Sequence, residues 1–389
     1  MATLLLVLIY TAFISLGLPD ALLGAAWPVM QPEFGVPYGF AGLLSMSITG
    51  GTILSAIFAT RVLKKFGTGK VTAFSVGLTA IALLGFSFTP SYWWLFLAAI
   101  PLGLGAGAVD AGLNAFVAEH YESRHMSWLH SFWGVGALSG PLVISGLLER
   151  GATWRNAYLA IGLFQVVLVL LLIAAVPLWG KVKTRVHGED APEEHPHLPL
   201  FFPLKVQGVK QALVTMFCYC AIESTMGLWG GSFLFKTKAM DAAAAATWVS
   251  LFFAAITAGR FLTGFATSRV SNKDLIRWGG GLILAGVALM LVPLPLPFTL
   301  AGFLLVGFGC APVFPCMIHE TPVRFGKKQA QAIIGFQMAA AYIGATFMPP
   351  LFGFIGQSTT LALLPVFLVG YSVVLLLCTE GLRRKSAAA

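Results

Sequence analysis

The chain has 389 residues, 58% of them hydrophobic and only 10% charged, with a formal net charge of +9. A soluble globular protein carries about 25% charged residues and a disordered chain has far less apolar mass, so neither class fits, and five cysteines are too few for a disulfide-built scaffold of this length. The chain reads as an integral membrane protein, and the placement of its basic residues decides whether the positive charge reflects nucleic acid or membrane topology.

A helix needs about 20 apolar residues to cross the hydrocarbon, and twelve such stretches are predicted in chain order. The first, 3–30, has no basic segment before its apolar run and continues past Asp20, so it reads as a transmembrane helix rather than a signal peptide. The second, 38–60, runs into a loop carrying Arg61, Lys64, Lys65 and Lys70, and the third is 70–89. The fourth, 92–118, opens on Trp93 and Trp94, an interfacial belt pair, and holds Asp110 and Asn114. The fifth, 127–148, carries His130 and Trp133, and the sixth, 155–178, carries Gln165.

Residues 180–207 are polar and charged and include His187, His195 and His197, a loose group expected to be solvated rather than metal-binding. This linker divides the chain into expected six-helix bundles at 1–179 and 208–389. The second bundle runs through 208–235, with Tyr219, Glu223 and Trp229; 244–267, with Arg260 near its end; 275–293; 297–318, with Phe314; 328–355, with Gln337 and Tyr342; and 359–380.

Of the 24 Lys and Arg, only Arg150, Arg155, Lys236 and Lys238 fall on one side of a twelve-span arrangement; all the others fall on the opposite side. That asymmetry predicts both termini in the cytoplasm of a cell whose plasma (inner) membrane the chain crosses, and it accounts for the net charge without nucleic acid. The cysteines, at 218, 220, 310, 316 and 378, all lie inside spans. Cys218 and Cys220 are two apart on a helix, which points them apart, so neither a disulfide nor a metal site is expected.

The halves echo each other. Gly136-Ala137-Leu138-Ser139-Gly140-Pro141 is matched by Gly344-Ala345-Thr346-Phe347-Met348-Pro349, Ala59-Thr60-Arg61-Val62 by Thr267-Ser268-Arg269-Val270, and Gly103-Leu104-Gly105 by Gly307-Phe308-Gly309, all at nearly one offset. Duplicated six-helix halves joined by a basic loop point to a secondary transporter with its substrate site between them. The expected working unit is a monomer.

The loop Lys64-Lys65-Phe66-Gly67-Thr68-Gly69-Lys70 resembles the loop motif of the major facilitator superfamily, and the likeness extends over essentially the whole chain. Lys64 stands where that motif has an acid, and Ser268 takes the corresponding place in the second half, so a gating ion pair built on that acid is not expected. Asp20, the run Asp110-Ala111-Gly112-Leu113-Asn114 and the run Gly309-Cys310-Ala311-Pro312-Val313-Phe314-Pro315 resemble the fucose/proton symporter and sodium-dependent glucose transporter branch. In fucose-type symporters, acids on the first and fourth spans are tied to proton coupling and sugar binding. The resemblance therefore implies those roles for Asp20 and Asp110.

Three acids, Asp20, Asp110 and Glu223, sit deep in spans. A charge at mid-membrane costs about 2.5–3.5 kcal/mol even on the lenient insertion scale, so such residues usually mark ion or substrate paths. All three are candidates for cation coupling; the alternative is a protonated acid hydrogen-bonded to a neighbouring helix. Pro19 frees the carbonyl of Ser15 beside Asp20, which predicts a local break and a cluster of oxygens able to hold H⁺ or Na⁺, or else a simple kink. Asp110 and Asn114, four apart, share a helix face. Glu223, one turn from Tyr219, has three readings: substrate contact, coupling, or pairing across an interface.

The substrate-binding candidates are Asn114, His130, Trp133, Gln165, Tyr219, Trp229, Phe314, Gln337 and Tyr342, with Trp27 a further ring. Sugars offer apolar ring faces for stacking and hydroxyls for amides and carboxylates. Each aromatic alone is equally a packing or lipid-facing group. No Lys or Arg falls at mid-membrane, which argues against anionic substrates. The leading expectation is H⁺- or Na⁺-coupled symport of a neutral sugar. A drug/proton antiporter and a lipid or glycolipid flippase are the alternatives. No nucleophile–base set, metal-ligand cluster or phosphate loop suggests an enzyme, and no cofactor is expected beyond the coupling ion.

Overall fold

A computed structural model describes residues 2–121, 123–182 and 202–387. Its helices are α1 (Ala2–Asp20), α2 (Leu22–Phe34), α3 (Phe40–Phe66), α4 (Thr68–Ser87), α5 (Tyr92–His120), α6 (Ser123–Glu149), α7 (Trp154–Trp179), α8 (Val209–Thr237), α9 (Ala242–Ala266), α10 (Asn272–Leu291), α11 (Leu296–Phe325), α12 (Lys327–Ser358) and α13 (Leu364–Ala387). Two short 3₁₀ turns, Phe202–Lys205 and Leu361–Leu363, complete the described secondary structure. Among the described residues, twelve segments are long and apolar enough to span a membrane, in register with the twelve predicted stretches. The linker histidines lie outside the described residues.

The first span, Thr3–Phe34, is built from α1 and α2. The helix breaks at Ala21, two residues after Pro19 and beside Asp20. The basic loop between α3 and α4 turns at Gly67 (φ 80°), and that between α11 and α12 at Gly326 (φ 86°). These left-handed conformations admit glycine without a Cβ penalty.

The chain divides into two compact units, unit 1 of residues 1–186 with 230–250 and unit 2 of residues 187–229 with 251–389. The end of α8 and the start of α9 thus belong to unit 1, where Ser250 donates to the Leu138 carbonyl at 2.6 Å and Thr247 meets Ser145 at 2.7 Å.

Inside each unit the packing follows the sequence repeat. With no aqueous driving force between helices in lipid, small residues allow backbones to approach. A Cβ on Gly103 would overlap the Ile48 carbonyl of α3, and one on Gly105 the Ser75 carbonyl of α4. Their repeat partners do the same: Gly307 faces the Phe252 carbonyl of α9, and Gly309 the Gly279 carbonyl of α10. Gly136 abuts Ile14 of α1 as Gly344 abuts Phe217 of α8. The repeat is therefore a pair of equivalent packing schemes. Unit 1 closes around a core of Leu5, Ile9, Phe13, Val109, Leu113, Leu129, Leu168 and Leu172. Trp93 and Trp94, 67% and 58% exposed, stay outside the packing as an interfacial pair should.

Candidate functional site

In unit 1 the break after Pro19 leaves Asp20 at the last position of α1, not covered by the unit's own atoms. The close approach of α1 and α6 at Gly17 and Gly136 brings Trp133 to it, and the indole Nε1 donates to Asp20 Oδ2 at 2.8 Å. One turn nearer the N-terminus of α6, His130 is exposed and lies edge-on to Phe13, with ring centres 5.9 Å apart.

The carbonyl that Pro19 frees is already engaged. Gln165, 1% exposed on α7, donates from Nε2 to Ser15 O at 2.8 Å and accepts from Thr79 Oγ1 at 2.7 Å. Gln165 thus ties α1, α4 and α7 together in the interior. The expected oxygen cluster is reduced on this side, because the Ser15 carbonyl is capped by an amide donor.

On α5, Asn114 Nδ2 donates to both Asp110 Oδ1 and the Asp110 carbonyl, each at 2.9 Å. The pair is partly buried. Its geometry follows from the four-residue spacing. Asp20 and Asp110 are therefore both bonded to neutral donors.

Unit 2 is built differently. On α8, the Tyr219 hydroxyl donates to Glu223 Oε2, one turn away. Arg260 of α9 reaches the same group: its Nη2 donates to the Tyr219 oxygen at 3.1 Å and lies 3.7 Å from Glu223 Oε2. The Glu223 and Arg260 side chains are 14% and 20% exposed. Phe314 of α11 lies tilted against Tyr219 with ring centres 6.0 Å apart. Arg260 is the functional candidate that the sequence reading missed. Its Cα lies near the end of α9, but its long stem carries the guanidinium along the helix to the acid. The available signal was a Glu in mid-span whose own helix carries cations only at its two ends, Lys210 and Lys236.

Three of the remaining candidates are fully buried. Trp229 is fully buried, donates from Nε1 to Pro349 O at 2.7 Å and meets Phe352 edge-on. Trp27, also fully buried, donates to Tyr38 O at 2.9 Å. Gln337 is fully buried and accepts from Thr321 Oγ1 at 2.9 Å, while its Nε2 has no partner. Tyr342 is partly buried further along α12. The five cysteines are free thiols.

The sequence profile of the Major Facilitator Superfamily matches residues 9–349. The glucose/mannose transporter GlcP of Bacillus subtilis (strain 168) is 23% identical over 386 residues, covering 94% of this chain and 92% of that protein. Among solved structures, a bacterial homolog of the human lysosomal transporter Spinster, inward-facing and unoccupied, superposes with a TM-score of 0.77 at 13% identity over 98% of both chains. The nucleoside transporter NupG superposes with a TM-score of 0.75 at 16% identity, covering 97% of this chain and 98% of its own. At these identities the structures establish the fold alone.

Proposed function

The chain belongs to the major facilitator superfamily, and from that premise we propose that it is a cation-coupled symporter of a neutral sugar, working by alternating access in the plasma (inner) membrane with both termini cytoplasmic. It is a membrane transport protein and not an enzyme. The sugar reading draws on GlcP, whose name assigns it glucose and mannose, and on the resemblance of Asp20, Asp110 and Asn114 to the fucose-type pattern.

The observation that carries the coupling reading is the pair of unit 1 carboxylates, each bonded to a neutral donor, Trp133 or Asn114. Such an acid can gain or lose a proton, or exchange its donor for Na⁺, without leaving a bare counter-charge behind. Cation binding at Asp20 and Asp110 would favour sugar binding, and rocking of the halves would then deliver both. We place Glu223 with Tyr219 and Phe314 as the unit 2 contribution to sugar recognition, its charge balanced by Arg260.

The test is uptake of radiolabelled glucose and mannose into proteoliposomes under an imposed pH or Na⁺ gradient. Accumulation against the sugar gradient is expected with one ion and not the other. Asp110→Asn is expected to abolish accumulation while retaining equilibrative exchange. No gradient-driven uptake of any neutral sugar sinks the proposal, and normal accumulation by the variant removes the coupling role.

A further inference from the structure

A groove of about 610 Å³ runs along unit 1 between α4 and α7, lined by Lys70, Ala73, Gly77, Leu78, Val169 and Ile173 among others. It plays no part in the site described above. The small residues of α4 create it: a Cβ on Gly77 would meet no atom within 4 Å. From Lys70 to Ile81 the groove follows α4 for about 16 Å at 1.5 Å per residue, close to one leaflet of a hydrocarbon core about 30 Å thick. Its wall is apolar except at one end, where Lys70 stands.

The basic residues at that end differ from several of their unit 2 counterparts. In unit 2 three of the basic residues on the corresponding face have acids beside them: Lys273 lies 3.4 Å from Glu320, Arg277 2.5 Å from Glu380, and Arg383 3.7 Å from Asp274. In unit 1, Lys64 replaces the acid of the loop motif, and among the described residues none of Arg61, Lys64, Lys65 and Lys70 has an acidic partner. Behind that end, Trp179 packs its indole against Gly69 and Phe116 as part of the unit 1 core and does not line the groove. An exposed ammonium without an acidic partner, at the end of an apolar slot one leaflet deep, calls for an anion carrying a hydrocarbon chain.

We propose that the α4–α7 groove is a binding site for an anionic glycerophospholipid, with one acyl chain along Gly77 and the phosphate at Lys70. Free phosphate lacks the chain, and a zwitterionic lipid brings its own ammonium beside Lys70, which offsets the attraction of its phosphate.

The experiment uses the full chain purified in mild detergent, with native mass spectrometry and thermal unfolding in the presence of dioleoyl phosphatidylglycerol, dioleoyl phosphatidylcholine or sn-glycerol 3-phosphate. Phosphatidylglycerol is expected to remain bound and to raise Tm, and the other two are not. Lys70→Gln is expected to weaken retention about fivefold, the worth of one basic residue at an anionic surface. Gly77→Leu, whose side chain enters open space, should block the chain while leaving the lipid-free Tm unchanged. Equal retention of the two lipids overturns the proposal, as does undiminished phosphatidylglycerol binding by both variants. So does a shift produced by glycerol phosphate alone, or a dimer in place of lipid adducts.

Discussion

Unit 1 and unit 2 solve the problem of a carboxylate inside the membrane in opposite ways. In unit 1, Asp20 and Asp110 meet an indole N–H and an amide. In unit 2, Glu223 meets a guanidinium and a phenol. A neutral donor stabilises the ionised acid without adding charge, so neutralising the acid loses one hydrogen bond and strands nothing. A guanidinium partner changes the account, because neutralising either member leaves the other charge buried alone. The first arrangement suits an acid that changes protonation state in a transport cycle. The second suits an acid that keeps its charge while the site works.

The sharpest way to break this contrast is Arg260→Leu. It leaves Glu223 with Tyr219 as its only polar partner in the triad, and removing one member of a buried pair destabilises by about 3–5 kcal/mol. The expected result is a large fall in the thermal or denaturant midpoint of the protein in micelles. The double variant Glu223→Leu/Arg260→Leu should recover most of that loss, since a buried pair replaced by apolar groups is often close to neutral. A single variant as stable as the parent would show that the two charges are solvated and that the units do not differ in kind.

The same pairings show what could be read from the sequence. The twelve spans, the break after Pro19 and the Asp110–Asn114 contact depend on neighbours along the chain or on hydrophobic run length, and the sequence carries them directly. The release of the Ser15 carbonyl was equally legible. Its partner was not, because Gln165 is 150 positions away and nothing local to either residue announces the other. Gln165 was accordingly a candidate for sugar binding, and the structure places it at the junction of three helices. Arg260 eluded the sequence for a related reason: span position fixes the Cα, whereas the chemistry lies at the far end of a flexible side chain. The glycine repeats pointed to duplication, but that each glycine meets a carbonyl of the equivalent helix is a tertiary fact.

Gln165→Leu sharpens the comparison from the unit 1 side. The substitution nearly preserves volume but leaves the Ser15 carbonyl without its donor and the Thr79 hydroxyl without one of its acceptors, in surroundings where Ser15 is 2% and Thr79 4% exposed. An unsatisfied buried polar group costs about 1–3 kcal/mol, less than the stranded charge of Arg260→Leu. The unfolding midpoint should fall accordingly. If Gln165 bound sugar instead, the variant would keep its stability and lose affinity, so midpoint and KM measured on one preparation separate the two roles.

The smallest expected effect on stability is that of Trp133→Phe. The ring is kept, only the indole N–H is lost, and Asp20 lies where the unit does not cover it, so the unfolding midpoint should stay within experimental scatter. The functional readout should move instead. A hydrogen bond of ordinary net worth corresponds to about a two- to tenfold change in an equilibrium, and losing one that orients Asp20 should raise the KM for gradient-driven sugar uptake by that factor. Trp133→His, which retains a ring N–H, should restore part of it. A drop in stability with unchanged uptake would make the Trp133–Asp20 bond a structural clamp between α1 and α6. Asp110 would then be the only unit 1 acid left with a case for coupling, and the contrast between the units would rest on Asn114 and Arg260.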